Sequence, residues 1–407
     1  MATPLPRAAD PHPGTPTPGW NPVFLATGFR PFFLLAALHA LISVPLWLLA
    51  LRGGATPPLP PALWHAHEMV YGFAVAVIAG FLLTAVRHWT DGRPTASGAA
   101  LAALAALWTA GRVALFPGIG LALGLGVAIN LLFLPALALA VGRPILAARS
   151  QRNYKVLAIL TALWCGQALL LAGSIGAWDI ALERASGVAH TTLLVVVLLC
   201  LVIAGRIVPL FTGNAIQRKG LRPWPAADAI AFTCVVTLIA LGFLGVDHPA
   251  VSLVAACGGG AVFARMRWWG SAHTLAHPLL WILHLGHAWI GVGLLLSAAA
   301  ALSVAGAAPA ATHALAFGGV GTLILGMMAR VTLGHTGRAL VPPRLTTLAF
   351  IAFQVGALLR VMAPLLVPHH YLRTLDVAGA LWALAFLLYL VAQGPMLLTP
   401  RPDGRPG

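Results

Sequence analysis

Apolar stretches of about twenty residues, the length that crosses the hydrocarbon core of a bilayer, recur about twelve times along this chain. They fall near residues 30–51, 66–86, 97–116, 119–141, 155–174, 187–209, 227–246, 249–265, 278–302, 310–331, 345–366 and 373–393. With 60% hydrophobic and 8% charged residues, the composition departs from that of a soluble domain, where roughly a quarter of residues are charged. In lipid an isolated span satisfies its own backbone only as a helix. The expected fold is therefore all-α, a polytopic membrane protein of about 12 transmembrane helices with the lipid bilayer as its surroundings.

The formal charge of +15 raises the question of nucleic acid, and the placement of the basic residues answers it. Nineteen of the 24 Lys and Arg fall in the tails and in alternate loops. The other five are Arg52, Arg112, Arg184, Arg360 and Arg373. Such asymmetry follows the positive-inside rule and puts the N- and C-termini in the cytoplasm. A nucleic-acid footprint needs one contiguous basic face, so no nucleic acid is expected as a partner. Residues 1–27, rich in Pro and Thr at their start, carry no apolar core of a signal peptide and read as a disordered cytoplasmic tail. Residues 396–407 read as a second cytoplasmic tail. The four cysteines each stand alone in an apolar span, the pattern of inert buried thiols.

Histidines 67, 190 and 313 are 123 residues apart, each near the start of the second, sixth and tenth spans. The far ends of two of these spans also match, RIVPLFTG (Arg206–Gly213) against RVTLGHTG (Arg330–Gly337). These agreements predict three four-helix repeats about a pseudo-threefold axis, with units near 28–145, 150–266 and 275–395 inside a transmembrane domain of 28–395. Each imidazole lies 16 to 20 residues from the next basic residue, roughly 24–30 Å along a helix. The three are thus expected at one outer level.

The second span opens with WHAHEM, holding His65, His67 and Glu68. Charge near the apolar core is costly and marks function; the alternative is a wet interfacial helix start. Positions two apart on a helix point to nearly opposite faces, so His65 and His67 cannot both face one metal unless the helix begins between them. The ninth span carries His273, His277, His284 and His287 on an arc of about 80°, of which His284 and His287 lie deepest. Imidazole is the commonest side-chain ligand of iron, copper and zinc; the alternative is a polar stripe facing neighbouring helices. His39 reads as a hydrogen-bonded core residue. His335, in GHTGR with Arg338, stands in a glycine-flanked turn able to hold an anionic group.

The segments GFRPFF (Gly28–Phe33), WHAHEMVYGF (Trp64–Phe73), GFLLTAV (Gly80–Val86), GRIVPLFTGN (Gly205–Asn214), LHLG (Leu283–Gly286) and LGMMARVTLGHTGR (Leu325–Arg338) together resemble the NnrS family. The likeness runs from the first span to the tenth. It departs from the family's pattern at Arg87-His88, where a Pro-Asn pair is expected, and at His287, where Tyr is usual. The resemblance implies a multi-pass protein of the bacterial inner membrane containing haem and copper and serving the response to nitric oxide. A four-helix unit repeated three times is also similar to the catalytic subunit of haem-copper oxidases, whose histidines on the second, sixth and tenth helices hold metal centres.

Without a CxxCH motif, haem is expected to be non-covalent, a b-type centre held by axial imidazoles. His67, His190 and His313 are assigned to an outer metal set and His284, with His287, to a deeper one. Glu68 is expected to relay a proton or orient His65, and Arg206, Arg330 and Arg338 to neutralise propionates. The expected activity is binding or transformation of nitric oxide or nitrosyl-iron species, with an electron donor that the sequence does not identify. The competing reading is a transporter or channel moving metal ions or protons along the intramembrane histidines.

Overall fold

The computed structural model describes residues 23–175, 182–218, 220–246 and 248–405. Most of the expected N-terminal tail, residues 1–22, lies outside them. The described residues form twelve helices in chain order: α1 Phe29–Leu51, α2 Pro61–Trp89, α3 Gly98–Ala114, α4 Leu123–Ala147, α5 Tyr154–Ser174, α6 Leu182–Ile216, α7 Pro225–Leu244, α8 Ala250–Met266, α9 Pro278–Ala301, α10 Ala307–His335, α11 Arg344–Leu366 and α12 Tyr371–Leu398. Ten are long and apolar enough to cross a membrane, while α3 and α8 fall short of that length. Each expected span is thus a helix, and no strand occurs among the described residues.

Local sequence explains several boundaries. Pro61, Pro225 and Pro278 begin α2, α7 and α9, where the missing N–H has no helical partner in any case. Gly245, left-handed at φ 68°, ends α7, a conformation open to a residue without Cβ.

Helix α1 packs on α12, so the first and last helices meet, and α6 touches both α2 and α10. The inner layer is α2, α6 and α10, whose most apolar windows are 83, 72 and 78% buried against 22–61% for the other seven long helices. Lipid gives apolar side chains little reason to prefer one another, so close packing relies on small residues. Glycines on α9 and α10 supply it: a Cβ at Gly293 would lie 2.9 Å from the backbone nitrogen of Leu315, and one at Gly286 3.0 Å from that of Leu323.

Two inner helices change pitch at matching places. A π-helical segment, Glu68–Ala74, follows His67 directly, and a second, Ala314–Gly321, follows His313. The wider turn rotates everything beyond it relative to a straight α-helix, and such segments often sit at functional sites.

Candidate functional site

A cavity of about 720 Å³ lies between the inner helices, within the range of roughly 300–1,000 Å³ typical of ligand pockets. Its polar groups gather where α1 and α11 end and α2, α6, α10 and α12 begin: His65, Ser186, His190, Thr312, His313, Arg360 and Tyr371. Farther in, its wall is apolar. Phe73, Phe317 and Trp382 line it and lock together edge to face at 4.9–5.4 Å, backed by Phe353 and Phe386.

The three cavity imidazoles are positioned by different means. His65 stacks on Trp47 with ring centroids 4.0 Å apart and planes inclined by 18°, and its buried Nδ1 has no hydrogen-bond partner. His313 Nδ1 donates to the Pro309 carbonyl one helical turn back, at 2.8 Å. That bond leaves Nε2 as the lone-pair nitrogen, the tautomer control common among metal-bound histidines. His190 Nδ1 lies 3.4 Å from Thr312 Oγ1.

His67 does not join them. It is fully buried on the opposite side of α2, with Nδ1 2.9 Å from Glu68 Oε1 and Nε2 3.3 Å from the Gln167 amide nitrogen. The equal spacing of residues 67, 190 and 313 therefore does not carry over into one shared level facing the cavity. Residues two apart on a helix diverge, and it is His65 that faces inward.

Glu68 lies within an ion-pair network instead of on the cavity wall. Arg112 Nη1 donates to both of its carboxylate oxygens at 2.9 Å, and His39 Nε2 lies 3.2 Å from Oε2. Arg112 also donates to Asn130 Oδ1, while Asn130 Nδ2 caps the Gly111 and Gly126 carbonyls at 3.0 and 2.8 Å. Sequence reasoning named His39 as a hydrogen-bonded core residue and missed Arg112, Asn130 and Gln167. Arg112 carried a signal, as one of five basic residues on the sparsely charged side.

The deeper histidines form no companion site. Thr212 Oγ1 donates its one proton to the Val208 carbonyl at 2.8 Å, so it accepts from His284 Nε2 at 2.9 Å. His284 Nδ1 then accepts from Ser271 Oγ at 2.8 Å, and no lone pair remains for a metal. His287 is fully buried against Trp269 with ring centroids 4.6 Å apart, and neither nitrogen has a partner. Among the described residues no three His, Cys, Asp or Glu side chains could hold one metal ion. The expected outer set is divided, with His190 and His313 on the cavity and His67 held by Glu68 and Gln167, and in the deeper set His284 is engaged by Thr212 and Ser271.

The residues assigned to propionates also lie away from the cavity. Arg330 rests over the Phe211 ring at 3.9 Å, and Arg338 donates to the Thr336 carbonyl at 3.3 Å. Arg206 is half-buried near the other end of α6. His335 packs beside Phe29 and His88, each ring 5.7 Å away. The cysteines depart from their expected burial: Cys165 and Cys257 are exposed on apolar helix faces, and Cys200 and Cys234 are half-buried.

The family model described as "NnrS protein" matches residues 23–401, a range that includes all twelve helices and every residue of the cavity. Among curated proteins no match is found.

Proposed function

The chain therefore belongs to the NnrS family, and on that premise we propose that it is a multi-pass protein of the bacterial inner membrane that binds haem in its central cavity and serves the response to nitric oxide. The observation that carries this reading is the cavity itself, about 720 Å³ of mostly apolar space with His65, His190, His313 and Arg360 at one end. Cytoplasmic termini, a threefold repeat and a transmembrane unit of residues 28–395 are part of the same proposal.

The residues present fit a non-covalent haem. His65, with an unpartnered Nδ1, and His313, whose Nε2 keeps its lone pair, are the imidazoles that would hold the haem iron, with His190 beside them on the cavity wall. Trp47 holds the plane of His65, and Pro309 holds that of His313. Phe73, Phe317 and Trp382 exclude water from the far end, where a small apolar ligand is better accommodated than an ion. When bound, the haem iron supplies a coordination position for nitric oxide or a nitrosyl species. Glu68 stabilises the shape of α2 beside the site by holding His39, His67 and Arg112 in one network.

Copper does not fit in the same way. Among the described residues no group of three or more His, Cys, Asp or Glu side chains is assembled to hold it.

Purification after growth with iron and a haem precursor tests the reading. A Soret band that moves when nitric oxide is added is the expected result. A folded, colourless protein that takes up no haem on titration contradicts it.

A further inference from the structure

Arg360 stands among aromatic and aliphatic side chains on the cavity wall and is only 7% exposed. One face of its guanidinium rests toward the Tyr371 ring, 5.2 Å from the centroid. The Tyr371 hydroxyl, a neutral group, is a side-chain hydrogen-bond partner of the guanidinium, whereas its buried Nη1 has none. Among the described residues it makes no ion pair, and Asp376 on the next helix is engaged by Arg52 at 2.7 Å. A guanidinium keeps its charge at any physiological pH. An unpaired buried charge is among the most costly arrangements a protein interior can hold.

Three features of the cavity say what would relieve that cost. The space is of cofactor size, its far wall is apolar, and its cationic and imidazole groups lie at one end. A ligand complementary to it is amphipathic, with an acid at one end and an apolar body. The planar fork of a guanidinium matches a carboxylate through two parallel hydrogen bonds.

We propose that Arg360 is the anion-recognising residue of the cavity, binding the carboxylate of an amphipathic ligand whose apolar body lies against Phe73, Phe317 and Trp382. The proposal rests on the reading of this cavity as a ligand site and deepens it by fixing the ligand's orientation. The acid end sits beside His65 and His313, and Arg206, Arg330 and Arg338 take no part in recognising it. The carboxylate has two sources, a porphyrin propionate or the head of a fatty acid.

Paired ligands that differ only in the acid separate these possibilities. Binding to the purified full chain is measured for haem against haem dimethyl ester and for hexadecanoate against hexadecan-1-ol, in wild type, Arg360→Lys and Arg360→Gln. Thermal unfolding of each variant controls for folding. The wild type should prefer the acid in at least one pair by about tenfold or more, as a charged hydrogen bond provides. Arg360→Gln should lose that preference and Arg360→Lys should keep part of it.

Preference in the haem pair identifies propionate as the source. Preference for the fatty acid over its alcohol, with neither haem nor its ester bound, leaves the role of Arg360 standing and removes the haem reading. Equal binding of acid and neutral partners by wild type in both pairs, or full preference retained in Arg360→Gln, overturns the proposal. Equal binding of haem and its ester with a normal Soret band does so while leaving the haem reading intact. Should Arg360→Gln fail to fold, the wild-type pairs and Arg360→Lys decide the matter.

Discussion

Arg112 reaches from α3 to place its Nη1 2.9 Å from both carboxylate oxygens of Glu68 on α2, with the two side chains only 10 and 2% exposed. A buried carboxylate of this kind persists only with partners around it. Glu68 has three: Arg112, His67 and His39. The carboxylate sits where α2 changes pitch, so the network braces the segment that carries His65.

Removing one member of that pair should be worse than removing both. Arg112→Met is expected to destabilise the protein by about 3–5 kcal/mol, the cost of stranding a buried charge, and Arg112→Met with Glu68→Leu to recover much of it. Thermal unfolding in detergent, followed by tryptophan fluorescence, reads both. Equal midpoints for the single and double variants would sink this account.

The cavity histidines and His67 should separate by phenotype. His65→Ala, His190→Ala and His313→Ala are expected to lower the haem bound per protein while leaving the unfolding midpoint near wild type. His67→Ala, which opens a hole in a buried network, is expected to keep haem and lose stability by about 1–3 kcal/mol. Pyridine haemochrome analysis beside a thermal melt makes the comparison. Haem loss in His67→Ala alone would reverse the assignment.

The glycine seam between α9 and α10 gives a packing test. A Cβ at Gly293 meets the Leu315 side chain at 2.6 Å and its backbone nitrogen at 2.9 Å, so Gly293→Ala should cost about 1–3 kcal/mol through overpacking. Gly260 lies inside α8 with nothing within 4 Å of its Cβ position. Gly260→Ala should be neutral or slightly stabilising, since alanine favours a helix over glycine. Similar losses in the two variants would contradict the seam.

Beyond the last helix, the Arg401 side chain beside Asp403 holds that carboxyl down to about 2 from 3.8. Arg401 donates to Asp403 at 2.9 and 2.6 Å and to the His335 carbonyl at 3.0 Å. The native value is the depressed one, so the contribution to tail docking is present above about 4 and lost as pH falls toward 2. The Arg405 N–H bonds Asp403 Oδ1 at 3.3 Å. Its hydrogen exchange, corrected for intrinsic rate, should lose protection over that window and stay unchanged from pH 5 to 7. Protection that persists at pH 2 would show the carboxylate to be irrelevant.

The twelve helices and their membrane character were legible in the chain itself. Apolar runs with few charges admit one solution in lipid, a helix that closes its own hydrogen bonds, and spacing along the chain identifies it without knowledge of neighbours. The prominence of the second, sixth and tenth spans, the most buried of the long helices, was likewise readable, because the histidine near the start of each is visible in the chain itself. That His65 and His67 diverge followed from helical geometry alone. Which of the two faces the cavity was decided by tertiary structure, through the π-helical turn after His67 and the packing of Trp47 against His65. The fates of His284 and Arg360 depended on partners 72 residues away in one case and on the lack of any carboxylate partner in the other. A sequence records that an imidazole or guanidinium exists, but its role depends on which lone pairs and protons its neighbours leave free. In a bundle of near-uniform apolar helices, those neighbours are set by packing and not by spacing along the chain.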